Sequence, residues 1–221
     1  MDIREYAQAF DQVEHDYEDA VAAFGIPFEV AESCPRKRRS QTAAMCGCHC
    51  ENGGGSLWRG WISPACLACR TGERTATFFV DLRCTRHCYF CFNHNQADYD
   101  KFVREGCPWE EGLARAAETY KNGLAVIGLT GGEPLLSFDA SIAFLNRARE
   151  LFPKAHKRMY TSGDLLTEDM ARALRDAGLQ EIRFSVKDFD PEPMQERVLD
   201  AMRLAKRYIP DVMVEMPIIP G

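Results

Sequence analysis

From Thr75 onward the chain alternates short apolar runs with helix-length amphipathic stretches, and this alternation constrains the fold more than any other feature. The runs are Thr77–Leu82, Leu124–Thr130, Lys157–Thr161, Glu181–Val186 and Asp211–Met216, each of strand length, the fourth with an alternating pattern. A first helix is expected after Pro108, with Glu110 and Glu111 in its opening turn, Leu113, Ala117 and Tyr120 inward, and a stop at Gly123. A second, capped by Asp139, carries the stripe Ile142, Leu145, Ala148 and Phe152 and ends at Pro153. Thr167 caps a third, with Gly178 just beyond its end. Met194, Val198, Met202, Ala205 and Ile209 mark a fourth, whose methionines read as core. Strands joined through helices must run parallel with right-handed crossovers. An open doubly wound sheet and a barrel both meet that rule, and both place their chemistry on the loops at the C-terminal ends of the strands.

Two of those loops carry unusual residues. Cys84-Thr-Arg-His-Cys88-Tyr-Phe-Cys91 follows the first strand and offers three thiols to a single soft metal centre. Iron–sulfur cubanes are usually held by four cysteines, so a loop supplying three leaves one iron open to a ligand that is not protein. A zinc site completed by His87 or His94, or an electron-transfer cluster with a fourth cysteine elsewhere, fits the same triplet. The second strand runs into Gly131-Gly132-Glu133-Pro134, where two glycines allow a ligand close to the backbone and Glu133 aims a carboxylate at it. No Gly-Lys-Ser/Thr follows, so this is not a phosphate loop.

The cysteine spacing and the Gly-Gly-Glu-Pro loop, in this order and on these strands, resemble the radical S-adenosylmethionine (SAM) enzymes over residues 75–221. The resemblance implies a partial (β/α)6 TIM-like barrel. It implies a 4Fe-4S cluster on Cys84, Cys88 and Cys91, whose open iron takes the amino and carboxylate groups of SAM. Reductive cleavage then yields a 5′-deoxyadenosyl radical that abstracts hydrogen from a substrate. Gly131, Gly132 and Glu133 correspond to the loop meeting the methionine amino group, and Phe90 to an aromatic ring near adenine. Ser162, Ser185 and Lys187 match positions that touch the ribose or carboxylate, although a lysine leaving a strand is usually solvated. Ser185-Val-Lys187 and Cys91-Phe-Asn93 are similar to motifs of glycyl-radical-enzyme activases, an oxidoreductase-type activity. The electron donor implied is ferredoxin or flavodoxin, and the substrate a small molecule, a peptide or a protein.

Upstream the character changes. Residues 1–24 place Ile3, Tyr6, Phe10, Val13, Tyr17, Val21 and Phe24 on one face of an amphipathic helix closed by Gly25 and Pro27. Ser33–Ser40 is a short basic run, read as a solvated loop. Cys46, Cys48 and Cys50, the glycine stretch Asn52–Ser56, and Cys66 with Cys69 follow. Five cysteines in so short a span do not build an apolar core. They point to metal: a structural zinc on four thiolates, or a second iron–sulfur cluster. Cys34 and Cys107 read as small apolar residues. The expected domains are thus a helix over 1–30, a cysteine-rich segment over 31–74 and a barrel over 75–221.

Composition excludes other classes. The net charge of −6 argues against nucleic-acid binding driven by overall charge. No run approaches a membrane span, and the acidic, polar N-terminus is unlike a signal peptide. Ten cysteines in 221 residues are too few for a disulfide scaffold, and their clustering suits metal in a reducing cytoplasm. Pro217–Gly221 arrives just as the fifth strand empties into a loop, so a sixth strand is expected beyond it and the chain reads as truncated. The alternative to an enzyme is a non-catalytic iron–sulfur or zinc protein, structural or electron-transferring. Such a module has no use for the Gly-Gly-Glu-Pro loop.

Overall fold

A parallel sheet of five strands, arranged in the order they follow in the chain, is the main sheet of the structure, a computed structural model. The described residues are 44–51, 56–187 and 190–217, with the single positions Asp19, Ala23 and Gln41. The chain divides into two units, Met1–Trp61 and Ile62–Gly221. The amphipathic face expected over 1–24, the basic run at 33–40 and Cys34 lie outside the described residues, apart from Asp19 and Ala23.

In the first unit, β1 (His49–Glu51) and β2 (Ser56–Trp58) form an antiparallel hairpin that pairs His49 with Trp58 and Cys50 with Leu57. The His49 imidazole stacks on the Trp58 ring, centroids 5.3 Å apart.

The second unit opens with α1 (Pro64–Cys69), whose N-cap Ser63 accepts a hydrogen bond from the Ala65 N–H. Then come β3 (Thr75–Phe79), α2 (Tyr99–Glu105), α3 (Trp109–Thr119) and β4 (Val126–Thr130). They are followed by α4 (Phe138–Leu151), β5 (His156–Thr161), α5 (Glu168–Asp176), β6 (Glu181–Ser185), α6 (Glu192–Ala205) and β7 (Asp211–Glu215). Every neighbouring strand pair is parallel, as strand–helix–strand units require. This is the partial TIM-like (β/α) barrel expected.

One face of the sheet meets the helices. Ile127, Leu129, Met159, Ile182 and Phe184 pack there against Phe144, Leu145, Leu174 and Val198, all nearly or fully buried. Each such side chain contributes roughly 1.5–3 kcal/mol of burial. Strand alternation turns Thr77, Gly128, Arg158, Tyr160, Glu181, Arg183 and Ser185 to the opposite, inner face. Parallel sheets are covered on both sides, and α1 covers part of this one by packing on β4 and β5.

That cover buries β6 on both faces: Glu181 and Arg183 are buried, as are Ile182 and Phe184, which alternate with them. Glu181 accepts from Ser63 Oγ and Arg183 Nε and lies 2.8 Å from His156 Nε2. Arg183 also donates to Glu215 and, at 3.3 Å, to Cys66 Sγ.

Boundaries also differ. β3 ends at Phe79, so Val80–Leu82 belong to the loop. Asp139 is not the cap of α4; Ser137 stands at that position, and Asp139 lies in the first turn, where a carboxylate suits the helix dipole. Thr167 does cap α5, its hydroxyl accepting from Met170 N at 3.3 Å. α2 and the 3-10 turn Phe92–Asn95 had no sequence signal. Among the described residues no helix is long and apolar enough to cross a membrane.

Candidate functional site

The loop after β3 is held by its own first residues. Asp81 accepts from the Arg83 amide at 3.2 Å and from Arg83 Nε at 2.9 Å. This loop then receives the loop after β4 through the backbone: Gly132 N donates to Asp81 O (3.3 Å) and Glu133 N to Arg83 O (2.6 Å). Contact this close explains the glycines. A Cβ on Gly132 would stand 1.9 Å from Arg83 O, and one on Gly131 2.8 Å from Asp81 O, with Gly131 at φ +109. In this structure the two glycines permit the close approach of the cysteine loop itself.

Glu133 is buried, and both carboxylate oxygens are engaged. Thr161 Oγ1 (2.7 Å) and Leu135 N (3.1 Å) donate to one, and Ser162 N (2.8 Å) and Ser162 Oγ (2.7 Å) to the other. Its carboxylate ties the β4 loop to the end of β5. Lys187 is likewise not solvated: it is buried, with Nζ 3.9 Å from Asp190.

These loops surround a cavity of about 270 Å3 at the C-terminal ends of the strands. Cys84, Cys88, Cys91, Phe90, Gly131, Gly132, Glu133, Ser162, Ser185 and Lys187 all line it. So do Arg86, Asn93, Tyr160 and Glu215, which sequence reasoning did not assign. Asn93 Nδ2 donates to Gly131 O at 2.5 Å, a third tie between the two loops. Arg86, between the first two cysteines, pairs with Asp164 beyond β5 and with Asp190 beyond β6. No spacing rule marks either residue, because their partners are far away in the chain.

Burial pushes the Cys84 thiol up, with the Arg86 amide opposing and Glu133 adding to the rise. That amide lies 3.4 Å from Cys84 Sγ, a donor able to stabilise a thiolate. At Asp164, burial acts upward but the hydrogen bond and charge of Arg86 prevail and hold the carboxyl below its usual range. Among the described residues no group of three His, Cys, Asp or Glu side chains stands preformed to hold a metal. The donor chemistry fits an iron–sulfur cluster nonetheless: three soft thiols on one loop, facing one cavity.

The remaining candidate ligands fall in both units. Cys46, Cys48 and Cys50 lie on or beside the hairpin, and Cys46 is exposed. Cys66 and Cys69 are one turn apart on α1. Cys107 is half-buried and its amide donates to Val80 O at 2.8 Å.

Comparison with known proteins gives a match to the Radical SAM superfamily model over residues 82–221. A protein of Methanocaldococcus jannaschii, provisionally named a glycyl-radical enzyme activating enzyme, is 28% identical over 168 residues, 72% of this chain and 44% of its own length. A GTP 3′,8-cyclase of Campylobacter jejuni subsp. doylei is 31% identical over 127 residues, 56% of this chain and 39% of its own. The crystal structure of Streptococcus suis SuiB bound to S-adenosylmethionine superposes with a TM-score of 0.46 at 18% identity, over 92% of this chain and 43% of that one. The chain thus spans less than half the length of these relatives.

Proposed function

The chain belongs to the Radical SAM superfamily, and we propose that it uses a 4Fe-4S cluster to cleave S-adenosylmethionine and abstract hydrogen from a substrate. When bound, the cluster and SAM supply one-electron cleavage of the sulfonium to a 5′-deoxyadenosyl radical. Cys84, Cys88 and Cys91 hold the cluster. The backbone of Gly131–Glu133 receives the methionyl amino group, and the Glu133 carboxylate positions that loop against β5. Phe90 packs near the adenine. Ser162, Ser185 and Lys187 face the polar part of the cofactor, and Arg86 holds the cysteine loop against the loops that carry them.

The observation that carries this reading is the convergence of the ten residues expected from the sequence on one cavity at the strand ends. Similarity over most of the chain to a glycyl-radical enzyme activating enzyme favours a protein substrate. A nucleotide substrate is the second reading, favoured by the higher identity to a GTP cyclase over a shorter span. Reduced ferredoxin or flavodoxin would supply the electron in the cytoplasm. Cys46, Cys48, Cys50, Cys66 and Cys69 hold zinc or a second cluster.

The test is anaerobic reduction of the reconstituted protein with SAM. 5′-Deoxyadenosine release that disappears in Cys88→Ala is expected, and none from iron-loaded protein would favour a non-catalytic metal protein. GTP that speeds the release would favour the nucleotide reading. Counting iron and zinc per chain distinguishes zinc from a second cluster in the cysteine-rich segment.

A further inference from the structure

Arg158, in the middle of β5, is a buried guanidinium that forms no ion pair among the described residues, although Glu181 is its register partner on β6. It is 8% exposed, and its Nε is a fully buried nitrogen without a hydrogen-bond partner among the described residues. Arginine does not shed its proton in proteins, so burial cannot be relieved by neutralisation. A buried charge is ordinarily paired, and an unpaired one is costly.

The acids on the same face are committed elsewhere. Glu181 and Glu215 both receive Arg183, and the second oxygen of Glu181 is shared by Ser63 and His156. Among the described residues Arg158 keeps only the face of Tyr160, 5.3 Å from its Cζ, and that ring also meets Arg183 at 5.6 Å from the other guanidinium. Gly128 on β4 and Glu181 on β6 are its register partners, and a Cβ on Gly128 would stand in ordinary contact with Arg158 Nε, at 3.5 Å. Tyr160, Ser185 and Glu215, on this same inner face, line the cavity that the cysteine and glycine loops surround. Arg158 stands one inward-facing position below Tyr160, and so beneath that cavity.

We propose that Arg158 is the anchor for an oxyanion of the substrate, a carboxylate or a phosphate, on the inner face of the sheet below the SAM site. A guanidinium can grip such a group with two parallel hydrogen bonds. The inference rests on the radical SAM reading only for the name of the ligand; the unpaired cation stands without it.

The test uses the anaerobically reconstituted protein, its thermal midpoint measured in chloride, inorganic phosphate and malonate at matched ionic strength. Phosphate or malonate is expected to raise the midpoint by roughly 3 °C near tenfold saturation, and the stronger of the two tells phosphate from carboxylate. Arg158→Met is expected to match or exceed the parent in chloride, because it removes an unpaired buried charge, and to lose the anion response. Arg158→Lys is expected to retain a weaker response. The proposal is overturned if neither anion protects the parent, if Arg158→Met responds as the parent does, or if Arg158→Met is markedly less stable in chloride. It is overturned as well if protection appears only in a Cys66→Ser/Cys69→Ser variant, since the thiolates of α1 would then be the counter-charge. Release of 5′-deoxyadenosine from the same samples reports separately on the radical SAM reading.

Discussion

Arg86 grips Asp164 with two prongs, Nε to Oδ2 at 2.5 Å and Nη2 to Oδ1 at 2.6 Å, across 78 residues of chain. Its third nitrogen, Nη1, reaches Asp190 Oδ2 at 3.0 Å. One side chain between two candidate cluster ligands thereby clamps the loops after β3, β5 and β6 together. All three partners are largely shielded from water, so this is more than a surface ion pair.

Replacing Arg86 by Gln should therefore free the cysteine loop and leave Asp164 uncompensated. We expect the variant to keep its iron but to bind SAM at least about tenfold more weakly, the scale of one charge-assisted hydrogen bond. Equilibrium SAM binding beside an iron assay checks this, and Arg86→Lys should recover only part of the loss.

Two glycines should respond to alanine with opposite signs. Gly132→Ala drives a Cβ into Arg83 O and should cost at least about 1–3 kcal/mol. Gly112 lies inside α3, where a Cβ would make ordinary 3.5 Å contact with the Phe78 ring, so Gly112→Ala should gain roughly 0.5–1 kcal/mol of helix propensity. Urea unfolding of the two variants measures both.

Glu181 makes stability depend on acid. Burial would raise its carboxyl, but hydrogen bonds from His156, Ser63 and Arg183 outweigh burial and hold it at about 2. A depressed carboxylate contributes fully above its unfolded value near 4.5, and that contribution is lost as pH falls through about 2. Glu181→Gln should accordingly be destabilised by roughly 3 kcal/mol at neutral pH, and the deficit should shrink between about pH 4.5 and 2. Urea midpoints across that range for parent and variant provide the check.

Cys107 should be the slow thiol. Burial first, and the charge of Asp81 second, push it up to about 11. At pH 8 its thiolate is then roughly 100-fold scarcer than that of an ordinary cysteine. Iodoacetamide labelling of metal-free protein, followed by peptide mapping, should find Cys107 alkylated far more slowly than exposed Cys46.

The sequence by itself determined the parallel α/β plan, the Thr167 cap and the ends of the sheet at which the cysteine and Gly-Gly-Glu-Pro loops emerge. Those features follow from periodicity and from residue types next to one another, and both are local. Only the tertiary structure decided where the charged residues go. Lys187, leaving a strand, reads as solvated, and Glu181 and Arg183 read only as part of an alternating strand, because nothing near them in the chain says that α1 and the strand-end loops cover them. Ser63 meets Glu181 across 118 residues and Arg86 meets Asp190 across 104. Partners so far apart leave no spacing to read, and whether a charge is solvated, paired like Arg183 or left bare like Arg158 depends on what the fold brings to its side.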